Sequence, residues 1–166
     1  MKAVISGYQG IGKSTLARKD PRFLDLESSN MFNLRGERDD TWWYIYCNIA
    51  IHLAEQGHVV FTSSHEVVRR YLSKVLSERS DIQFGICYPS EDLKDEWIQR
   101  LEDRYRDNPS EKNMKAFLNA ADRYVENIKE MANTSYDFAI RINSTEYDLG
   151  DLIESVLTWD GVSDDC

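Results

Sequence analysis

The chain predicts a three-layer α/β/α fold built on a five-stranded parallel sheet, and three observations predict it. Short apolar runs, rich in β-branched and aromatic residues, alternate with helical stretches along the 166 residues. A strand, a helix and a further strand in sequence require a crossover, which makes neighbouring strands parallel and the connections right-handed. The first run and the first helix are joined by Gly7-Tyr8-Gln9-Gly10-Ile11-Gly12-Lys13-Ser14, which fits G-x-x-x-x-G-K-[ST] at every fixed position.

The elements follow in order. Residues 1–6 (MKAVIS) read as a short buried strand, and Thr15-Leu16-Ala17-Arg18 continues the loop as a helix. After Pro21, Phe23 to Glu27 is a brief second strand. A polar segment leads to a helix over Trp42–Gln56, stopped by Gly57. His58 to Thr62 is the third strand, and Glu66 to Glu78 is helical, with Val67, Val68, Tyr71, Leu72 and Val75 on one side. Ile82 to Cys87 is the fourth strand, closed by Tyr88-Pro89. A long helical region breaks at Asn108-Pro109 and resumes from Ser110 to Met131. Tyr136 to Ile142 supplies the fifth strand and Leu149 to Leu157 a last helix. One domain spanning 1–166 is the expected organisation at this length.

The loop explains its own spacing. Glycines let the backbone wrap a phosphate so that successive N–H groups point inward at a helix N-terminus. Gly7, Tyr8, Gln9, Gly10, Ile11, Gly12, Lys13, Ser14 and Thr15 are the expected nucleotide-binding residues. Lys13 would reach the β- and γ-phosphates and Ser14 would offer its hydroxyl to Mg²⁺. The pattern defines a P-loop NTPase fold, with ATP and Mg²⁺ as expected cofactors.

Composition narrows the class. Hydrophobic residues make up 42% and charged residues 30%, ordinary for a globular chain. A net charge of −9 argues against broad electrostatic binding to nucleic acid, although a local groove could still hold a strand end. No apolar run approaches membrane-spanning length, and the first strand runs directly into the phosphate loop without a secretory signal. Cys47, Cys87 and Cys166 show neither metal-ligand spacing nor even pairing, so they read as buried or incidental thiols. The expected setting is the cytoplasm, for a monomer or homodimer.

Ligands of such sheets sit at the carboxyl ends of the strands. The third strand ends Thr62-Ser63-Ser64 with no metal-ordering acid, and the GTPase pattern N-K-x-D is absent. Acids stand instead at the end of the second strand, Asp25 and Glu27, and strand alternation puts both side chains on one face. One carboxylate can hold the metal through water, while the other accepts the proton of an attacking hydroxyl. A helix cap and a solvated edge charge are the plainer reading of the same pair.

Strand, phosphate loop, helix and D-x-[DE] on the second strand, with no acid on the third, resemble the small P-loop kinases: nucleoside monophosphate kinases, shikimate kinase and gluconate kinase. The runs Asp25-Leu26-Glu27-Ser28-Ser29-Asn30, Ser63-Ser64-His65 and Glu96 to Leu101 (EWIQRL) look like small bacteriophage and prophage proteins described as nucleotide kinases; a phage-encoded chain would work in the host cytoplasm. The resemblance implies an acid pair beside acceptor and Mg²⁺, an acceptor-binding insertion (about 28–56) and an arginine-bearing lid (about 94–112).

Residue types fit that scheme unevenly. Arg100 and Arg104 lie one helical turn apart and suit a phosphate clamp; the same stretch also suits plain Glu96–Arg100 and Glu102–Arg106 helix pairs. Ser28, Ser29 and Asn30 can hydrogen-bond a sugar or base, and Arg35 and Arg38 can meet an acceptor phosphate. In the aromatic cluster Trp42, Tyr46, Ile49 and Leu53 recur at core spacing, which leaves Trp43 or Tyr44 as the ring facing the cleft. His65 and Arg69 are further acceptor candidates, with a helix cap by Ser63 or Ser64 and a solvated arginine as alternatives. The expected catalytic set is Lys13, Asp25, Glu27, Arg100 and Arg104, with Ser14 and Asp25 on the metal. The favoured acceptor is a (deoxy)nucleoside monophosphate. The alternatives are a hydroxyl acceptor (nucleoside, sugar acid, polynucleotide end or modified base) and a nucleotide-dependent ATPase or switch.

Overall fold

The computed structural model describes residues 2–28 and 39–157. Five parallel strands form one sheet in the order β2-β3-β1-β4-β5: β1 (Ala3–Gly7), β2 (Phe23–Asp25), β3 (Val59–Thr62), β4 (Gln83–Pro89) and β5 (Phe138–Ile142). The five-stranded parallel sheet expected from the sequence is present. Its middle strands are apolar on both faces, as a sheet covered on two sides requires: Ala3, Val4, Ile5, Val59, Val60 and Phe61 are fully buried.

The helices are α1 (Lys13–Lys19), α2 (Trp42–Glu55), α3 (Glu66–Leu76), α4 (Lys94–Asp107), α5 (Glu111–Ala132) and α6 (Leu149–Val156). Packing of α2 on β3 and α3, and of α5 on β4, covers one face; α1 and α6 pack together on the other. The break between α4 and α5 falls at Asn108-Pro109, and the Ser110 hydroxyl caps α5 by accepting from the Asn113 N–H.

The chain runs from β1 to the sheet edge at β2, returns through β3, then crosses β1 to reach β4. The carboxyl end of β1 is therefore the place where strand order reverses and a crevice opens. The phosphate loop starts there.

Three elements differ from the sequence expectation. β2 ends at Asp25, two residues before Glu27, because only Phe23 to Asp25 find ladder partners on β3; Leu26 adds one more bond, its N–H to the Phe61 carbonyl. α2 buries Tyr46, Cys47, Ala50, Ile51 and Ala54 rather than the Ile49 row, and Ile49 is exposed. α3 likewise buries Val68, Leu72 and Leu76 and leaves Val67 outside. Helical spacing identifies a stripe, but the sheet decides which neighbouring stripe it covers.

Candidate functional site

The phosphate loop owes its shape to two glycines. Gly10 (φ 82°) and Gly12 (φ 104°) occupy backbone conformations that side chains disfavour. A Cβ on Gly12 would meet nothing within 4 Å, so the loop's inner side is open. α1 then begins with no side chain capping its first-turn N–H groups, which leaves backbone donors and the positive helix end for an anion. Ser14 and Thr15 stand exposed in that first turn.

Neighbouring elements hold the loop by its carbonyls. Buried Trp97 on α4 donates its Nε1–H to the Gln9 carbonyl at 2.9 Å. Arg100, one turn on, donates to the Gly10 carbonyl at 3.1 Å, the Tyr147 hydroxyl at 2.9 Å and the Thr145 carbonyl at 3.1 Å. Its guanidinium lies 4.2 Å over the Trp97 ring. Tyr147 completes the set by donating to the Ile11 carbonyl at 2.7 Å. The amide of Gln9 reaches α5 through the Ala116 carbonyl. With its carbonyls tied outward, the loop keeps its N–H groups for a ligand.

Lys13 returns over the loop and donates to the Gly7 carbonyl at 2.9 Å. Burial pulls its ammonium below the ordinary lysine value, and the charges of Asp25 and Glu27 pull it back up. Burial pushes the Asp25 carboxyl above its ordinary value; Lys13, Lys112 and Arg104 oppose that, and Glu27 adds to it. Asp25 and Glu27 thus reach one charged cluster with Lys13 although Glu27 lies beyond the strand.

Glu27 meets a partner that sequence reasoning missed. Lys112, in the first turn of α5, donates to its carboxylate at 2.6 Å. Nothing local marks Lys112, which lies 85 residues away. Tyr46 was read only as a core ring; its hydroxyl donates to the Leu26 carbonyl at 2.6 Å and accepts from the Ser63 N–H at 2.9 Å. It pins the segment after β2 to the end of β3.

The remaining candidates divide. Arg104 donates its Nε–H to the Asn113 side chain at 2.9 Å and adds its charge to the field at Asp25. The two arginines expected in a lid therefore part company, Arg100 on the phosphate loop and the segment after β5, Arg104 on Asn113 of α5. Of the alternative helix pairs, Glu102–Arg106 forms. His65 Nδ1 lies 2.8 Å from the Ser63 hydroxyl, and its ring meets Trp42 edge-on at 5.3 Å. Trp42 is thus the ring at the mouth of β3, where Trp43 or Tyr44 was expected. Trp43 and Tyr44 pack instead with Tyr71 of α3, and Tyr44 lines a shallow cavity of about 510 Å³ along α2 with Ile45, Ile49 and Leu53.

Arg69 is also corrected. It is 5% exposed, and it donates to the Ser64 and Glu130 carbonyls at 2.9 and 3.2 Å and to the Thr134 hydroxyl. It ties α3 to α5 rather than facing a ligand. Ser28 follows Glu27 at the rim, while Ser29, Asn30, Arg35 and Arg38 lie outside the described residues. Cys47 and Cys87 are buried, and burial pushes both thiols up to about 12, which makes them inert packing groups.

A second cavity, about 260 Å³, opens on the other side of Arg100 and is lined by Gly12, Thr15, Leu16, Tyr147 and Gly150 among others. It joins the loop to the segment after β5. Among the described residues no cluster of three or more His, Cys, Asp or Glu forms a metal cage. No helix among the described residues is long and apolar enough to cross a membrane.

Fold and loop together define an α/β protein of the P-loop NTPase fold, its five-stranded parallel sheet flanked by helices. Among solved structures it is similar to shikimate kinase from Bacteroides thetaiotaomicron, with a TM-score of 0.53, 15% identity, and 93% of each chain covered. It is also similar to an uncharacterized protein from Eubacterium ventriosum ATCC 27560, with a TM-score of 0.50 and 13% identity, covering 93% of this chain and 96% of that one. At such identities the likeness establishes the fold and leaves the acceptor open. No family model and no curated protein matches the chain.

Proposed function

We propose that the chain is an ATP- and magnesium-dependent phosphotransferase that moves a γ-phosphoryl group to a small acceptor, a (deoxy)nucleoside monophosphate. The observation that carries this reading is the phosphate loop, with its uncapped helix end and Lys13 folded back on the Gly7 carbonyl, at the carboxyl end of the same sheet whose β2 ends at Asp25. It sets a donor grip and an acceptor rim side by side at the crevice between β1 and its neighbours.

The roles follow from position. The N–H groups from Gly10 to Thr15 hold the donor phosphates, while the Tyr8 N–H stays on the Cys87 carbonyl at 2.9 Å; Lys13 exchanges the Gly7 carbonyl for phosphate oxygens that carry the developing charge. Ser14 and Asp25 hold the magnesium ion, which supplies charge neutralisation at the phosphates. The donor base and ribose fill the cavity beside Arg100 and Tyr147. Arg100 keeps the loop in shape, and Arg104, in the 94–112 lid region, faces the transferring group. On the acceptor side, within about 28–56, Ser28 meets the sugar or base, and Trp42 and His65 stand together at the mouth of β3.

A hydroxyl acceptor is the second reading: with Asp25 at the end of β2 and Glu27 two residues on, one carboxylate can hold the metal while Glu27 accepts the proton of the hydroxyl. Both readings are tested together by incubating the protein with labelled ATP, Mg²⁺ and a panel of nucleoside monophosphates, nucleosides and sugar acids. Label is expected on a monophosphate, and Lys13→Ala is expected to abolish the transfer. Label appearing solely as inorganic phosphate sinks the kinase reading.

A further inference from the structure

We infer that Lys112 is a specificity-determining residue that receives an anionic group of the acceptor, a phosphate or a carboxylate, and that Glu27 holds this lysine at the site until that group arrives. The inference rests on the phosphotransferase reading and names a property of its acceptor.

Position is the first argument. The pair joins the rim after β2 to the first turn of α5 at 2.6 Å. Lys112 also acts electrostatically on both Lys13 and Asp25. The pair therefore lies on the rim just beyond the carboxyl end of β2, the side on which the phosphotransferase reading places the acceptor.

The second argument is what Lys112 costs the helix that carries it. A lysine in the first turn faces the positive end of α5, which runs on to a kink at Arg123, and acids are the favoured residues at such an end. Glu27 offsets that repulsion here, and an acceptor anion can do the same while also gaining from the helix end. The pair is also an easy one to exchange. Its side chains are 51% and 35% exposed, and an ion pair so open to water contributes little to stability. Swapping one carboxylate oxygen for an acceptor oxygen conserves the ion pair, so the exchange needs no rearrangement of the fold.

The other cations near the crevice have fixed duties among the described residues. Arg100 is tied to the phosphate loop and Thr145. Arg69 is buried between α3 and α5. Lys13 belongs to the donor phosphates. Arg104 is braced by Asn113, so that among the described residues Lys112 is a long, half-exposed cation at the acceptor rim.

The test is titration calorimetry on protein saturated with Mg·ADP, using matched pairs: deoxynucleoside monophosphates against their nucleosides, and gluconate against glucose. In wild type the anionic member of one pair is expected to bind at least about tenfold more tightly, the scale of a charge-assisted hydrogen bond. Which pair shows it identifies phosphate or carboxylate. Lys112→Gln is expected to bring that ratio close to one, and Lys112→Arg to retain most of it, with Mg·ADP affinity unchanged in both. Glu27→Gln, which unmasks the lysine, is expected to raise the ratio; a bridge that merely braces the rim gives no such opposite sign. The inference is overturned by a wild-type ratio near one, by a preference that survives Lys112→Gln, or by no binding of either member of both pairs. Because binding is the readout, a protein that shows the preference yet transfers no label loses the kinase reading alone. One that transfers label with equal efficiency to charged and uncharged acceptors loses this inference alone.

Discussion

At the residue scale, the site is built from groups held away from their ordinary titration. Burial is the largest influence on Asp25 and raises its carboxyl, with Lys13 opposing. A raised carboxyl means that the folded state prefers the protonated form. The stability gained from holding that proton is complete below the carboxyl's unfolded value and is lost as pH rises through the raised one. At neutral pH the ionised Asp25 is therefore a charge kept at some expense to the fold. Asp25→Asn is expected to raise Tm at neutral pH, with the difference from wild type vanishing in acid, while transfer falls by roughly a hundredfold or more. Circular dichroism melts across pH, paired with the label assay, check both halves. A variant less stable than wild type at neutral pH would contradict the burial account.

At the element scale, the helices position the crevice through a few polar struts that cross the core. Trp97 and Arg100 fasten α4 to the phosphate loop. Tyr46 fastens α2 to the ends of β2 and β3, and Arg69 fastens α3 to α5. Replacing Arg69 by Met keeps much of the side-chain volume but leaves buried carbonyl groups without their donor, at about 1–3 kcal/mol for an unpaired buried polar group. Urea unfolding of Arg69→Met is expected to show a lower midpoint at unchanged slope, with the acceptor KM within about twofold of wild type. A large rise in acceptor KM without loss of stability would return Arg69 to the ligand side. The element pattern itself was legible in the sequence, because apolar runs and glycine stops are local signals. The duties of Arg69 and Tyr46 were not, since an arginine near a helix start looks the same whether it meets water, a phosphate or a carbonyl sixty residues away.

At the scale of the whole molecule, strand order does the main work. Order β2-β3-β1-β4-β5 places the reversal of the sheet beside β1, so a loop that leads into an uncapped helix end, open around Gly12, sits at the crevice. A ligand that binds only this folded arrangement stabilises it by mass action, about 2.7 kcal/mol at a hundredfold excess over Kd. For a chain of this size that corresponds to a rise in Tm of roughly 5–10 °C. Mg·ATP is expected to produce such a rise and Lys13→Ala to remove it, in a thermal-shift titration. A wild-type Tm that does not respond to Mg·ATP would count against the donor site as a whole.

The amino-acid sequence by itself determined the α/β class, the parallel sheet and the loop from Gly7 to Ser14, because each is encoded by neighbours in the chain: apolar runs, helical periodicity and fixed glycine spacing. Only the tertiary structure decided which ring stands at the mouth of β3, that Arg69 is a strut, and that Glu27 finds Lys112. Those choices depend on which faces the sheet brings together across tens of residues, and burial and charge pairing over such distances leave no mark on local composition.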